Sequence, residues 1–377
     1  MGFRGCALDK ILGVIMFGSI YRHRRVLVTG HTGFKGSWLC AFLQKLEAEI
    51  CGIALPPETE PSHYGLLKPQ IYSEYIDIRD QAAVKKAVAA FQPEIVFHLA
   101  AQPIVRRSYE IPAETFEVNC MGTVNILEAV RHCPAVRAVV IVTSDKCYEN
   151  REQPKGYRED DPMGGFDPYS ASKGCAELIS ASYRRSFFHP DAWGTSHRVL
   201  LATARAGNVI GGGDWAQDRL VPDIMRAAAQ GEAAVIRNPR ATRPWQHVLE
   251  PLSGYLLLAQ ELFAGNRDAA SAWNFGPDGN GIIDVAAAAA ELQKAWQDIR
   301  FEINPPAAAP HEAVLLHLDC RKAHEKLQWR GIFTPEEMFG FTARWYQEFY
   351  CRDRVITGEQ LDKYTALAAA RGARWAE

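Results

Sequence analysis

Residues 28–38 read Val28-Thr29-Gly30-His31-Thr32-Gly33-Phe34-Lys35-Gly36-Ser37-Trp38, and three glycines recur in them at intervals of three. An apolar run, Val26 to Val28, leads into the glycines, and an amphipathic stretch, Ser37 to Leu46, follows them. In a strand, glycine turn and helix of this kind, the missing side chains let the backbone approach a pyrophosphate at the helix N-terminus. Glycine also serves turns and close helix packing, so the flanking strand and helix are what favour a dinucleotide site.

Apolar runs typical of strands alternate with helical patterns over residues 26–206. Strands are predicted over residues 26–28, 51–55, 75–78, 95–101, 138–144 and 199–206, and helices near residues 37–47, 80–91, 112–132 and 170–188. Such a βαβ series predicts a parallel sheet covered on both faces, with ligands bound at the carboxyl ends of its strands. We therefore expect an α/β fold: a Rossmann-type doubly wound parallel sheet with a smaller C-terminal α/β substrate-binding lobe.

The chain divides into four predicted segments. After the glycines at 211–213 the elements become shorter, with a helix near residues 219–230, a strand near 233–237 and a helix near 250–263. Alanines 286–290 indicate a further helix, and residues 305–310 a linker. The expected parts are an N-terminal extension (1–20), a nucleotide-binding Rossmann domain that carries the catalytic residues (21–206), mainly a substrate-binding lobe with some chain returning to the Rossmann domain (207–351), and a C-terminal tail (352–377).

Composition and charge argue against several classes of function. A formal net charge of -2 with a pI near 6.6 gives no overall positive potential that would attract nucleic acid. An anionic ligand must therefore be held by local cations. The nine cysteines are odd in number, scattered and free of Cys-x-x-Cys spacing, which indicates neither a disulfide framework nor a zinc site. We expect no metal, and a reducing cytoplasm is the simplest location.

The apolar run Ile11 to Ile20 is followed by Arg22-His23-Arg24-Arg25. The run is too short to span a bilayer, and a secretory signal would carry its charges ahead of the apolar residues. Residues 1–15 are interpreted as a dispensable extension with Met16 as an alternative start of translation, and a weak membrane anchor is the less favoured reading. No association with a membrane is expected.

The positions that usually choose between NAD and NADP leave that choice open. Asp77-Ile78 is predicted to end a strand from which a carboxylate can reach the adenine amino group. The acidic residue that usually ends the second strand and binds the ribose hydroxyls is missing, since the chain reads Ala54-Leu55-Pro56-Pro57 there. No arginine for a 2′-phosphate stands there either, and NAD is favoured. His31 and Lys35 beside the glycines either meet phosphate or lie in a solvated loop.

Tyr169 and Lys173 lie four residues apart behind Pro168, which suits the first turn of a helix. On a helix they share a face, and a nearby ammonium stabilises a phenolate. Tyrosine ordinarily titrates near about 10, so a phenol that acts as a base near neutrality needs such a neighbour. The same spacing is frequent by chance in ordinary helices, and its place after a βαβ series is what favours a catalytic pair.

Ser144-Asp145-Lys146 follows at the end of the strand predicted over residues 138–144. The serine can hydrogen-bond a sugar hydroxyl and assist the tyrosine, while the carboxyl and the amine could divide general-acid and general-base work in an elimination. A salt-bridged loop is the alternative. Lys146 can serve as a base only when neutral. Burial and the charge of Lys173 would lower its pKa, whereas Asp145 would raise it, and the sequence does not show which effect is larger.

Polar residues of the second lobe are candidates for binding phosphates. Arginine offers a fork that matches phosphate oxygens, and asparagine donates a hydrogen bond without adding charge. The candidates are Arg205, Asn208, Arg219 and Arg243, and each arginine could equally be structural. Aromatic residues that either line the base end of a nucleotide or simply pack are Trp215, Trp245 and His247.

Four stretches, Val28–Trp38, Thr143–Asn150, Arg205–Trp215 and Arg243–Val248, together resemble the CDP-glucose 4,6-dehydratase family. The resemblance covers residues 20–350 and implies an extended short-chain dehydrogenase/reductase with NAD as cofactor and CDP-glucose as substrate. It also implies a cytoplasmic homodimer that supplies deoxysugars for cell-surface polysaccharide such as lipopolysaccharide. Dehydratases that act on other nucleotide sugars usually carry Asp-Glu where this chain has Asp145-Lys146.

The resemblance assigns residues to each part of the site. The implied catalytic residues are Ser144, Asp145, Lys146, Tyr169 and Lys173. The expected cofactor residues are Gly30, Thr32, Gly33, Phe34, Lys35, Gly36, Asp77, Ile78, Ala100, Ala101, Gln102, Tyr169 and Lys173. The expected substrate residues are Ser144, Asn208, Arg219 and Arg243, of which Asn208 and Arg243 are favoured because they lie within the stretches that resemble the family.

The implied reaction begins at C4 of the glucose ring, where Tyr169 takes the hydroxyl proton while hydride passes to NAD. The ketone acidifies the C5 hydrogen, a base removes it, Asp145 protonates the departing 6-hydroxyl, and hydride returns to C6. Lys146 stands where relatives place a glutamate base. Two alternatives stay open. One is an epimerase or reductase of the same fold, in which Asp145 and Lys146 would have no catalytic role. The other is a non-catalytic dinucleotide sensor.

Overall fold

The computed structural model describes residues 15–217, 219–277, 281–304 and 315–377. Residues 1–14 of the expected extension and the expected linker at 305–310 lie outside these ranges. The strands are β1 (Arg25–Thr29), β2 (Glu49–Ala54), β3 (Tyr72–Tyr75), β4 (Ile95–His98), β5 (Ala138–Val142), β6 (Leu200–Ala206), β7 (Val209–Ile210), β8 (Ala233–Ile236), β9 (Thr242–Pro244), β10 (Gln246–His247), β11 (Ala272–Phe275), β12 (Ile282–Asp284) and β13 (Arg300–Ile303).

Within these ranges, seven parallel strands form one sheet in the order β11-β6-β5-β4-β1-β2-β3. The strand order reverses between β1 and β4, and in doubly wound sheets ligands bind in the crevice outside the carboxyl ends at such a point. The glycines that follow β1 lie at this crevice. The predicted Rossmann-type α/β fold is confirmed.

Helices cover both faces of the sheet. They are α1 (Phe34–Lys45), α2 (His63–Leu67), α3 (Gln81–Phe91), α4 (Val105–Glu110), α5 (Pro112–Phe116), α6 (Gly122–Arg131), α7 (Pro168–Ser186), α8 (Leu220–Gln230), α9 (Leu249–Phe263), α10 (Val285–Ala295), α11 (Pro335–Arg352) and α12 (Thr357–Ala370). Side chains alternate along β1, so Val26 and Val28 join one core with α1 and α9, whereas Leu27 joins a second core with α3 and α6. A sheet buried on both sides explains why its strands read as nearly continuous apolar runs.

The second lobe is built from short elements beyond β6. Small two-stranded ladders pair β7 with β10, β9 with β12 and β8 with β13, and α8, α10 and α11 pack around them. The chain returns to the central sheet in between, because α9 packs on β5 and β6 and β11 forms the edge strand beside β6. Residues 249–275 therefore contribute a covering helix and an edge strand to the central sheet.

Several boundaries predicted from the sequence are wrong; for example, the strand expected over residues 95–101 ends at His98 and the strand expected over 138–144 ends at Val142. The strand expected over residues 75–78 ends at Tyr75, so Asp77 follows it in a loop. The helix expected over 112–132 is interrupted by a π-helical turn, Glu117–Met121, between α5 and α6. Asn119 on this turn donates to Ser172 Oγ of α7 at 2.8 Å and to the Gln102 carbonyl at 3.1 Å. The widened turn thus serves contacts with distant segments, which local periodicity does not reveal.

Both ends of the described chain belong to the core, which corrects the interpretation of residues 16–20 as extension and of 352–377 as tail. Phe17 is fully buried, and its ring stacks on Trp375 with centroids 5.1 Å apart. The hydroxyl of Tyr21 donates to the Leu256 carbonyl of α9 at 2.6 Å. On the other side of the core, α12 packs against α1, and Lys45 pairs with Asp362 at 2.9 Å.

Candidate active site

The glycine turn between β1 and α1 is packed as closely as the spacing predicts. Gly30 has a φ of +73°, and a methyl group on it would lie 2.8 Å from the backbone nitrogen of Ala100. A methyl group on Gly36 would lie 2.0 Å from the Gly30 carbonyl oxygen. Gly33 is the exposed residue just before α1. The turn therefore leaves the helix N-terminus uncovered, and its bare backbone fits a diphosphate.

A cleft of about 2510 Å³ opens at this edge of the sheet and runs into the second lobe. The predicted cofactor residues that line it are Gly30, Thr32, Gly33, Phe34, Lys35, Gly36, Asp77, Ile78, Ala100, Ala101, Tyr169 and Lys173. Gln102 is not among its lining residues. The Gln102 side chain donates to Thr115 Oγ1 at 3.0 Å and accepts from the Ile104 nitrogen at 2.6 Å, so it holds the loop behind β4 together.

His31 is neither a phosphate ligand nor a solvated loop residue. Its ring is fully buried, lies against the edge of Tyr64 and hydrogen-bonds Ser73 Oγ through Nε2 at 2.7 Å. Burial lowers the pKa of His31 to about 4, so the ring is neutral near pH 7. The ring fits under β2 because Gly52 has no side chain there. A methyl group on Gly52 would lie 2.3 Å from the His31 ring.

The adenine end of the cleft carries acidic side chains that are already paired. Asp77 lines the cleft, and both of its oxygens accept from Arg79, which holds the Asp77 pKa below its ordinary value. The carboxyl group of Glu58 lies 3.6 Å from the Arg107 guanidinium, and both residues line the cleft. Residues 54–57 at the end of β2 also line it, without an acidic side chain for the ribose.

Ser144 and Asp145 lie just beyond β5, where the chain turns into the short helical segment Asp145–Cys147. Asp145 is buried, and its Oδ1 accepts from Ser144 Oγ at 2.9 Å. Its Oδ2 is buried and has no hydrogen-bond partner in the described part of the chain. Burial raises the pKa of the Asp145 carboxyl above its ordinary value, although Lys146, Ser144, Lys35 and Arg243 act in the opposite direction. A carboxyl group with a raised pKa keeps its proton to a higher pH than an exposed one does, and a general acid needs that proton.

The Tyr169 phenol faces the same Ser144. Pro168 begins α7 as predicted, and Asp167 caps the helix by accepting from the Ser170 nitrogen at 2.9 Å. Burial raises the pKa of Tyr169 to about 12, while a hydrogen bond with Ser144 and the charge of Arg219 lower it. One serine hydroxyl thus joins the candidate base and the candidate acid.

The two lysines of the candidate site differ in their surroundings. Lys173 is buried on α7, its ammonium donates to the Val142 carbonyl at 3.3 Å, and burial lowers its pKa to about 8. It therefore lies beneath the end of β5, one helical turn from Tyr169 as predicted. Lys146 is half-buried and lines the cleft beside Asp145.

Three of the four polar candidates for phosphate binding line the cleft. Asn208 lies between β6 and β7, and Arg243 lies on β9 with its guanidinium donating to the Thr242 carbonyl at 2.9 Å. Arg219, at the start of α8, pairs with Asp214 at 2.8 Å. Arg205 is structural: it is buried, pairs with Glu177 at 2.8 Å and does not line the cleft.

Of the aromatic candidates, two lie at the cleft and one does not. Trp215 and Trp245 line it, and each indole nitrogen donates within the protein, to the hydroxyl of Tyr350 and to the Ile283 carbonyl respectively. His247 is fully buried among Trp38, Phe333 and Phe341, and burial lowers its pKa to about 3. His247 is therefore a packing residue.

The structure also adds cleft residues that the sequence did not single out. Residues 103–107 and Glu110, in and before α4, line the wall beyond β4. Arg226 and Arg237 line the far end in the second lobe, where Arg226 donates to the Trp215 carbonyl at 2.9 Å. No short motif marks these positions, because a loop, a helix and a strand distant in sequence bring them together.

The described ranges contain neither a helix that could cross a membrane nor a cluster of metal-ligating side chains. None of the helices there has the length and apolarity needed to cross a membrane. No group of three or more His, Cys, Asp or Glu side chains in the same ranges could hold a metal ion.

Comparison with known proteins places these features in a family. The family model for GDP-mannose 4,6 dehydratase matches residues 27–340. A relative from Salmonella typhimurium, CDP-glucose 4,6-dehydratase, is 48% identical over 331 residues, which cover 87% of this chain and 92% of the relative.

Solved structures share the fold. A UDP-glucose 4-epimerase from Stenotrophomonas maltophila, with bound NAD and formylated UDP-arabinopyranose, superposes with a TM-score of 0.74 at 22% identity, covering 88% of this chain and 100% of that one. A UDP-glucose 4-epimerase from Thermus thermophilus, in complex with NAD, gives a TM-score of 0.72 at 24% identity, covering 86% and 99%. The chain belongs to the GDP-mannose 4,6-dehydratase family, a group of sugar-nucleotide-modifying enzymes within the extended short-chain dehydrogenase/reductases.

Proposed function

We propose that this chain is a CDP-glucose 4,6-dehydratase, which converts CDP-D-glucose into CDP-4-keto-6-deoxy-D-glucose and water with NAD as cofactor. The 48% identity to the Salmonella enzyme over 92% of its length supports this choice within the family. The observation that carries the proposal is that Ser144, Asp145 and Tyr169 line one cleft, where Ser144 Oγ donates to Asp145 Oδ1 at 2.9 Å and also lowers the pKa of the Tyr169 phenol. An epimerase needs the phenol but has no use for a buried acid beside it.

The residues around the glycine turn fit NAD. The bare backbone at Gly30, Gly33 and Gly36 suits the diphosphate, and the wall around Ala100 and Ile78 suits the adenosine half. When bound, NAD accepts a hydride from C4 of the sugar and returns it to C6, so the reaction has no net redox change. The protein supplies the binding, the orientation and the proton transfers.

Tyr169 is proposed to accept the proton of the sugar 4-hydroxyl. The Ser144 hydroxyl holds the phenol and can bind the same sugar oxygen, and the Arg219 guanidinium favours the phenolate. The pKa of about 12 already includes the charge of Arg219, so the phenol needs further positive charge, such as that of a bound oxidised nicotinamide, to act near neutrality. Lys173 adds a second positive charge one helical turn away.

Asp145 is proposed to protonate the departing 6-hydroxyl. Its buried carboxyl retains a proton more readily than an exposed one, and its Oδ2, which lacks a hydrogen-bond partner within the described residues, can donate that proton to substrate. Oxidation at C4 acidifies the C5 hydrogen, so removal of that hydrogen and loss of water belong to one elimination. Lys146 beside Asp145 is the proposed base for C5.

The second lobe is proposed to hold the nucleotide. Asn208, Arg219 and Arg243 carry the donors expected at a diphosphate, and all three line the cleft between the two lobes. Trp215 and Trp245 line the same half of the cleft, where an aromatic ring can pack on a base. The preference for cytosine rests on the Salmonella relative.

Incubation of the purified protein with CDP-glucose and NAD tests the activity. We expect an alkali-sensitive 4-keto product that has lost water, formed faster than from the dTDP-, UDP- and GDP-sugars. An inverted sugar would support an epimerase, and cofactor binding without conversion would support a sensor. The Asp145→Asn variant should still oxidise C4 but release little dehydrated product, since an amide cannot protonate the leaving group.

Exchange of the C5 hydrogen with solvent tests the role of Lys146. In the Asp145→Asn background, we expect exchange in the sugar to continue, because oxidation at C4 alone acidifies this hydrogen. Replacing Lys146 by Met should abolish the exchange. Undiminished exchange in the Lys146→Met protein would assign the C5 base to another group.

We also propose a cytoplasmic homodimer. Large apolar side chains stand exposed on the face formed by α4, α5, the π-helical turn and α7: Tyr109, Phe116, Met121 and Leu178 are between 37% and 60% exposed. Such a patch is typical of a protein interface. Sedimentation should give twice the chain mass, and Leu178→Glu should give monomers; a monomeric parent protein would contradict the proposal.

A further inference from the structure

Lys35 lies at the reacting end of the cleft as well as beside the glycines. It is the second residue of α1 and lines the cleft as a half-buried side chain. The charged groups that act on it are Arg219, Lys173 and Asp145, which come from α8, α7 and the turn beyond β5. All three belong to the wall that carries the proposed chemistry.

A diphosphate at the glycine turn does not require Lys35. The bare backbone at Gly30, Gly33 and Gly36 and the N-terminus of α1 supply donors and positive potential without a side chain. Asp145, in contrast, is a buried carboxyl with one oxygen that lacks a hydrogen-bond partner in the described ranges. Lys35 lines the same cleft, and a cation there would stabilise this group when it is ionised.

We propose that Lys35 is a positioning residue for the elimination, and that its ammonium acts through Asp145 instead of binding the cofactor diphosphate. The inference rests on the proposed function. When Asp145 gives its proton to the departing hydroxyl, a carboxylate appears in a buried site. An ammonium that faces it stabilises this product of proton transfer and so makes Asp145 a stronger acid.

The direction in which Lys35 shifts the pKa of Asp145 follows from the groups around the Asp145 carboxyl. Lys35 on α1, Arg243 on β9 and the neighbouring Lys146 favour the carboxylate, as does the hydrogen bond from Ser144. Tyr169 on α7, Tyr255 on α9 and Cys147 also face it, and they add negative charge only when they ionise. Burial and the positive neighbours Arg219 and Lys173 lower the pKa of Lys35 to about 8, so it is mostly charged at neutral pH.

Removing the Lys35 charge should therefore raise the pKa of Asp145. We expect loss of the Asp145 proton to contribute to the alkaline limb of dehydration against pH, since burial raises the pKa of this carboxyl. In Lys35→Met we expect that limb to move upward by about one pH unit, and the maximal rate to fall by up to about tenfold because the acid is weaker. Reduced nicotinamide should accumulate during turnover, because elimination becomes slower than oxidation.

The experiment measures kcat against pH, the Kd for NAD and the absorbance of reduced nicotinamide in wild type, Lys35→Met, Lys35→Gln and Lys35→Arg. We expect Lys35→Arg to restore the wild-type limb, and the Kd for NAD to stay within about threefold in all four proteins. Lys35→Gln also removes the charge but keeps a polar side chain. It can therefore replace Lys35→Met in these measurements if the methionine variant folds poorly. Lys45→Met is the matched control, since it removes a lysine from the same helix outside the cleft.

Two results would overturn the inference. If NAD binding weakens tenfold or more while the alkaline limb stays in place, Lys35 binds the diphosphate. If neither quantity changes, it has no role in the reaction. Absence of dehydration by the wild type would instead refute the proposed function, and the Asp145 carboxyl resonance in carbon-13-labelled protein would still report whether Lys35→Met raises its pKa.

Discussion

Replacing Gly36 by alanine should damage both the fold and the cofactor site. The added methyl group would lie 2.0 Å from the Gly30 carbonyl oxygen and 2.7 Å from its carbon, whereas ordinary contact begins at 3.4 Å. The start of α1 must therefore move by about 1.4 Å relative to the turn, and both contacted atoms are backbone, which cannot rotate away. Overpacking of this kind costs about 1–3 kcal/mol. A displaced helix start also weakens NAD binding by at least about tenfold, which is about 1.4 kcal/mol.

Urea unfolding and NAD titration measure the two effects, and Gly340→Ala is the matched control. Gly340 lies in the middle of α11 with open space around its missing methyl group, so alanine there should stabilise the protein by about 0.5–1 kcal/mol. The same chemical change is thus expected to act with opposite sign at the two positions. A Gly36→Ala protein with the stability and NAD affinity of the parent would refute the close packing of the glycine turn.

Three further outcomes are expected. Tyr169→Phe should lower kcat by about 10²–10⁴ with NAD binding retained, as measured by turnover and titration. Arg205→Met leaves the Glu177 carboxylate buried, and urea unfolding should show a loss of about 3–5 kcal/mol, against less than about 1 kcal/mol for Ala at the exposed Arg22. Burial raises the pKa of Glu250 to about 7, so the native state keeps a proton that the unfolded chain loses. Stability should fall on the order of 3 kcal/mol as pH rises from about 4.5 to 7, and Glu250→Gln should remove that decline in urea titrations.

The glycine turn and most central strands could be predicted because their signals are local. The order of an apolar run, spaced glycines and an amphipathic stretch lies within about twenty residues, and each step depends on neighbours in the chain. The Pro168 start of α7 and its capping by Asp167 are local in the same way. The position of Ser144 at a strand end predicts that it assists Tyr169, and in the fold both residues line the same cleft.

The failures occur where a residue depends on a distant partner. His31 stands beside the glycines, but its ring occupies a space under β2 that only Gly52 leaves open. The sequence suggests Arg205 as a phosphate ligand, but in the fold Arg205 pairs with Glu177, which lies on another element. Gln102 follows β4 as cofactor residues do, yet its side chain holds its own loop together. Periodicity and spacing carry no information about such pairings.

The electrostatic surroundings of Lys35 also depend on residues that are distant in sequence. Its neighbours in sequence are glycines that suggest a phosphate site, whereas its charged neighbours in space come from three separate elements. The apolar run near residue 16 is a further case, because composition alone does not distinguish an extension from a buried segment. Only the folded core assigns Phe17 to the interior.

The stack of Phe17 on Trp375 has a consequence for biosynthesis. While residue 375 is still inside the ribosome, the Phe17 ring has its edge contacts with Tyr21 and Phe42 but lacks the stacked indole, so this part of the core stays open to chaperones and proteases. A premature stop codon at position 375 would spare every side chain that lines the cleft, yet it should lower the amount of protein that survives in the cell.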